Sequence, residues 1–340
     1  MIFMISTDKI IKIIIIRVLL APIPLSSKLR IIVSAKPKTT MKNAPGRRQF
    51  LTTVTKAVGT SLLINTPFLT KAGSSTAAPF TVGQVMDLIL KTIPGAPFPK
   101  TVDTLKSGSP SQTVTGIVST MFTTVEVIEK TIAAGANFII AHEPTFYNHL
   151  DETDWLNNDP VFKHKHDLLT KNNIAVWRFH DYWHSHKPDG IRAGMLSALG
   201  WEKQVDPENP QVLLLPSTTV GQVITHAKQK LGIKQVRIVG DTAQKCQRVL
   251  LLPGAAGGRN QIMAIEKAKP DLVLCGEASE WETPEYIRDA RRQGQTISLV
   301  VLGHIMSEAA GMEWLVSWLQ PKVPGVKVSY IPSGNLFSYE

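Results

Sequence analysis

The stretch Val300–Leu315, V-V-L-G-H-I-M-S-E-A-A-G-M-E-W-L, decides how this chain is read. The apolar run Ile297–Leu302, interrupted only by Ser298, predicts a buried strand of a parallel sheet. The run stops at Gly303-His304. Apolar residues then recur at helical spacing: Met306, Ala309, Ala310, Met312, Leu315 and Leu319. Open α/β sheets place their chemistry at such a turn from strand to helix, outside the carboxyl ends of the strands. His304 sits at the turn and Glu308 four residues later, on the same helical face, so an imidazole and a carboxylate can converge. Nitrogen and oxygen donors together suit a divalent transition metal such as Zn, Mn, Fe or Co.

Working outward, other strand ends carry the same residue types. Asn137–Ala141 reads as a strand ending at His142-Glu143-Pro144, and Ile174–Phe179 runs into His180-Asp181-Tyr182-Trp183-His184-Ser185-His186. A single strand-end histidine is ordinarily a hydrogen-bonded structural residue. Imidazoles and carboxylates at three separate strand ends point instead to a metal centre, with ligands enough for two ions. Asp271–Cys275 is a further strand, ending at Gly276-Glu277, and Glu277 is a candidate to take or give a proton. Its bland alternative is a carboxylate at a helix N-terminus. The turn Gly254–Gly258 could offer backbone N–H groups to an anion, but it lacks the Lys and Ser/Thr of a phosphate loop. His149, His164 and His166 read as surface residues.

Helical periodicity over Phe80–Ile93 (Thr81 as N-cap), Val125–Ala134, Val161–Asn172, Ile191–Leu199, Val220–Leu231, Ile262–Ala268 and Pro284–Gln293 alternates with these strands. The fold expected is α/β, two strand-helix lobes with largely parallel sheets. Pro94–Ser111 reads as loop. Glu202–Pro210, charged and bearing Pro, is the expected boundary between lobes of about 78–205 and 206–340.

The net charge of +10 is an effect of one end of the chain. Residues 1–77 hold 12 of the 37 Lys and Arg but only Asp8 of the 27 acids, leaving 25 basic against 26 acidic residues. That near-neutral remainder excludes a basic footprint for nucleic acid. Gly46–Leu51, G-R-R-Q-F-L, resembles a twin-arginine export signal, followed by a mildly apolar stretch and the small residues Ser75-Thr76-Ala77. Residues 41–77 are therefore expected to be a signal peptide, and the protein to be exported, folded, to a bacterial periplasm. Residues 1–40 read as an over-called start, since Met41 opens a complete signal. The alternative for them is an interfacial or anchoring segment, although Lys12 and Arg17 break the apolar run Ile10–Leu20. No stable membrane insertion is expected. Cys246 and Cys275 read as buried free thiols, with a single bridge as the alternative.

Taken together, G-A-N-F-I-I-A-H-E-P (135–144), H-D-Y-W-H (180–184), R-V-L-L-L-P-G-A-A-G-G (248–258), D-L-V-L-C-G-E (271–277) and G-H-I-M-S-E (303–308) resemble the Nif-three-like dinuclear-metal family of NGG-interacting-factor type, also labelled GTP cyclohydrolase 1 type 2. The resemblance spans about residues 80–338. It implies two divalent ions, a metal-dependent hydrolase and a homohexameric ring. An adjacent His-His pair in that family falls on His142 and Glu143 here. The family's H-T-x-x-D segment falls on His180–His184, so Asp181 replaces Thr and His184 replaces Asp. His304 and Glu308 match unchanged. The resemblance thus implies His142, Glu143, His184, His304 and Glu308 as ligands, with Asp181 as an alternative or supporting carboxylate. The competing expectation is a metal-binding or partner-binding protein without catalysis. The small-molecule substrate is left open.

Overall fold

The computed structural model describes residues 79–338 and 340, so the readings of residues 1–40 and of the signal at 41–77 lie outside the described residues. Capping chemistry starts most helices where the sequence places them. Thr81 accepts the Gln84 N–H while the Gln84 side chain accepts the Thr81 N–H, which opens α1 (Val82–Leu90). Thr124 caps α2 (Val125–Ala133), Asp159 caps α3 (Pro160–Lys171), Asp189 caps α5 (Gly190–Leu199) and Thr219 caps α6 (Val220–Leu231). The short α4 (Asp181–Ser185) lies between α3 and α5. The remaining helices are α7 (Gly258–Ala268), α8 (Thr283–Arg292) and α9 (His304–Leu319).

The strands β1 (Leu105–Ser107), β2 (Ile117–Thr120), β3 (Phe138–Ala141), β4 (Ala175–Arg178) and β11 (Val328–Tyr330) form one sheet, in the order β1-β4-β3-β2-β11. All its neighbours are parallel except β1 with β4. The second sheet takes β5 (Val205–Asp206), β6 (Asn209–Thr219), β7 (Arg237–Val239), β8 (Lys245–Leu252), β9 (Leu272–Cys275) and β10 (Ser298–Val301), in the order β5-β6-β8-β9-β10-β7. Here β8, β9 and β10 run parallel at the centre, with antiparallel strands outside them. Every residue of β2, β3, β4, β9 and β10 is buried, as expected of strands with helices on both faces.

Helix α9 joins the two layers. Its Met312, Leu315 and Leu319 enter the core of the first sheet, and Met306 also touches the core of the second. It crosses α5 backbone to backbone. A Cβ on Gly194 would meet the Ala310 carbonyl oxygen at 2.3 Å, and one on Gly311 would meet Ile191 Cα at 2.4 Å. The Ser119 hydroxyl of β2 donates to the Met312 carbonyl at 2.6 Å and fixes α9 against the first sheet.

Three features depart from the periodicity reading. The loop expected at Pro94–Ser111 contains β1, too short a strand to show alternation. The Glu202–Pro210 connection forms β5 and turns into β6 as a hairpin of the second sheet. The C-terminal strand β11 crosses back to the first sheet and lies parallel to β2, so the two sheets do not divide the chain at one point. The cysteines are free and buried. Leu252 of β8, not Cys246, stands opposite Cys275 of β9.

Candidate metal centre

The carboxyl ends of β3 and β4 in one sheet and of β9 and β10 in the other supply the polar cluster. His142 and Glu143 follow β3; His180, Asp181 and His184 follow β4; Glu277 follows β9; His304 and Glu308 open α9 after β10. His142, His180 and His184 form one group of potential ligand atoms within 4.8 Å of one another, and His142, Glu143 and Glu308 form a second. The two groups share His142.

Three of the imidazoles are held alike. His142 Nδ1 lies 3.2 Å from the Phe179 carbonyl oxygen, His180 Nδ1 lies 2.9 Å from Asp181 Oδ1, and His184 Nδ1 lies 3.0 Å from Asp189 Oδ2. Each contact asks for an N–H on Nδ1, which makes Nε2 the ring atom left for a ligand, while Asp189 raises the His184 pKa against the effect of burial. For His142 the consequence is sharp. Its Nε2 is buried, finds no hydrogen-bond donor, and faces Glu308 Oε2 at 3.6 Å and Glu143 Oε1 at 3.9 Å. Burial, with His184 and His180 beside it, pulls the His142 pKa well below its ordinary value, so protonation does not relieve the contact. A lone pair opposed to two carboxylates, with no proton between them, is the environment a divalent cation satisfies.

His304 sits differently. Its Nδ1 donates toward Glu277 Oε1 at 2.9 Å, while Nε2 lies between Glu308 Oε2 at 3.0 Å and Glu143 Oε1 at 3.1 Å. Burial alone would lower its pKa, but the three carboxylates push it up to about 12. The same contacts act back on two of the acids. Glu143 is lowered despite burial by His304, and Glu277 is lowered chiefly by its hydrogen bond to His304.

Asp181 stands apart from both ligand groups. Its Oδ2 accepts from the Thr101 hydroxyl at 2.8 Å and the Val102 N–H at 3.2 Å, while Oδ1 holds His180. His180, which motif matching passed over, thus occupies the inward position. Asp103 sets that arrangement: its buried carboxylate accepts the His180 and Tyr182 N–H groups, each at 2.8 Å. Nothing in the Pro-, Gly- and Ser-rich loop that supplies Thr101 and Asp103 marks them out in sequence. The Gly254–Gly258 turn also takes a different part. A Cβ on Gly254, at φ 66°, would stand 2.1 Å from Glu308 Oε1, and the Gly254 N–H bonds Ser307 Oγ at 2.9 Å. Gly254 therefore lets the backbone approach the Glu308 carboxylate. His149 edges the cleft beside the centre, whereas His164 and His166 are exposed on α3.

The family model Duf34/NIF3 (NGG1p interacting factor 3) matches residues 96–335. A "GTP cyclohydrolase 1 type 2 homolog" of Clostridium perfringens is 26% identical over 214 residues, which cover 60% of this chain and 77% of that protein. Among solved structures, Staphylococcus aureus protein SA1388 superimposes with a TM-score of 0.61 at 19% identity, over 77% of this chain and 100% of that one. The Bacillus cereus protein related to NIF3 gives 0.60 at 16% identity, over 77% and 99%. These structures share the fold.

Proposed function

The chain belongs to the Duf34/NIF3 family, and from that premise we propose that it is a metal-dependent hydrolase. In this reading His142, Glu143, His180, His184, His304 and Glu308 hold two divalent transition-metal ions. The observation that carries it is the buried His142 Nε2, unpartnered and set against two carboxylates where the two groups of donor atoms overlap.

A bound divalent cation supplies Lewis acidity and makes water in contact with it more acidic. The chain's own residues do the rest. The Phe179 carbonyl, Asp181 and Asp189 hold three imidazoles in the tautomer that leaves Nε2 free. Glu277, ionised and partly exposed, holds the His304 Nδ1 proton and is the carboxylate placed to accept a proton at the rim. A cleft of about 560 Å³ opens beside Glu143 and His304, a volume suited to a small organic molecule.

The name of the Clostridium relatives, GTP cyclohydrolase 1 type 2 homolog, makes hydrolytic opening of a ring one candidate reaction, with ester or amide cleavage beside it. The G-R-R-Q-F-L segment at 46–51 supports export of the folded protein to the periplasm, where free GTP is scarce. Among the described residues no helix is long and apolar enough to cross a membrane. Assembly as a homohexamer is part of the same proposal and rests on the family resemblance.

Elemental analysis of the purified protein and of His304→Ala and Glu308→Gln, with turnover of phosphodiester, nucleotide and amide panels, tests this reading. Bound divalent metal and turnover are expected in the parent protein and lost in both variants. Metal without turnover on any panel would leave a metal-binding protein and refute the hydrolase. Equal metal in all three proteins would refute the site.

A further inference from the structure

Lys165 is a charge that the centre described above does not use. It lies on α3, is 5% exposed, and its Nζ donates to the Thr145 carbonyl at 2.5 Å. The carboxylate whose field reaches it, Asp151, is taken by Lys106 at 3.3 Å and Arg178 at 3.6 Å. A buried ammonium without a counterion of its own is costly to keep. Burial accordingly pulls its pKa down to about 8. Beside it the Thr145 hydroxyl is fully buried and has no hydrogen-bond partner.

Both residues line the cleft that also holds Glu143 and His304. Its lining mixes polar side chains, Asn148, His149 and Ser333 among them, with the apolar Phe122, Val125 and Leu336 and the ring of Tyr147, which lies 5.0 Å from Lys165 Nζ. Tyr147 holds a left-handed backbone, φ 65°, a conformation that bulky residues seldom adopt and that collects at ligand sites. The cleft thus brings Lys165 and Thr145 together with aromatic and aliphatic surface and with Glu143 and His304 of the polar cluster.

We propose that Lys165 and Thr145 form an anion-binding subsite that holds the phosphate or carboxylate of a small organic anion, whose flat apolar body lies against Tyr147 and Phe122. That this ligand is also the substrate rests on the hydrolase reading; that it binds here does not. In a low-dielectric cleft an anion gives Lys165 the partner it lacks, and Thr145 Oγ1 gains an acceptor.

Calorimetric titration of the purified protein with phenyl phosphate, phenylacetate and neutral benzyl alcohol tests this, with metal content measured on the same samples. The two anions are expected to bind, the tighter one identifying the head group, and the alcohol not to bind. Lys165→Met should weaken the anions about tenfold or more, the loss of one charge-assisted hydrogen bond, while metal content stays unchanged. Lys165→Arg should restore part of the binding. The anions should also shield Lys165 of the parent protein from reductive methylation, a readout that needs no variant to fold. Binding equal to that of the alcohol, or unaltered in Lys165→Met, or lost only in His304→Ala and Glu308→Gln, would overturn the subsite. Loss of metal with anion binding intact would refute the metal centre and leave the subsite standing.

Discussion

Replacing Lys165 by Met should make the ligand-free protein more stable near neutral pH, although the substitution removes a hydrogen bond. Met keeps the unbranched stem on α3 and discards the charge. Burial takes the ammonium from its ordinary 10.5 down to about 8, and at about 1.4 kcal/mol per pH unit the gap corresponds to roughly 3 kcal/mol of cost to the folded state. The lost hydrogen bond to the Thr145 carbonyl returns about 1 kcal/mol, leaving a gain of roughly 2 kcal/mol. The pH dependence fixes the cause. Below the folded pKa of about 8 both states carry the proton and the cost is present in full. As pH rises from there toward 10.5 the folded state gives up its proton first, so the parent protein recovers stability while Lys165→Met does not. Urea unfolding at about pH 7 and about pH 10 measures both terms as shifts in midpoint. A variant less stable than the parent at neutral pH, or an advantage that does not shrink as the medium becomes alkaline, would refute the account of an unpaired buried charge. A stability cost kept in place is what a binding residue is expected to show.

Three further outcomes follow from the geometry. Asp181→Asn, which loosens the hold on His180 along with the contacts to Thr101 and Val102, should weaken divalent-metal affinity by roughly ten- to a hundredfold, whereas Glu308→Gln should abolish it; competition with a metal indicator separates the two. Gly254→Ala would set a methyl 2.1 Å from Glu308 Oε1 on a left-handed backbone, and should lower both metal content and unfolding free energy, the latter by about 1–3 kcal/mol in urea titration. Burial pushes the thiols of Cys246 and Cys275 up to about 11 and about 12, so neither should react with a thiol reagent near neutral pH until the protein is unfolded, when both should.

The sequence by itself determined what depends on neighbours along the chain. Apolar runs, helical periodicity and the Thr81 cap locate β3, β9, β10, α1 and α6 because strand and helix geometry are local. His304 and Glu308 share a helix face for the same reason, and the structure sets them 3.0 Å apart. That β3, β4 and β10 all end in imidazole or carboxylate was readable too, since each strand's end is marked where its apolar run stops.

Tertiary structure decided which of those side chains turns inward. Whether His180 or Asp181 faces the cluster depends on Thr101 and Asp103, which are nearly 80 positions away and lie in a loop with no pattern of its own. Gly254 looks like part of an anion-binding turn until Glu308, from another strand's end, packs against it. Lys165 reads as one more charge on a polar helix; only the fold removes its water and withholds a carboxylate. Local spacing fixes the direction of a side chain relative to its own element. Burial and electrostatic partnership are properties of the space between elements, and that space exists only once both sheets have closed on α9.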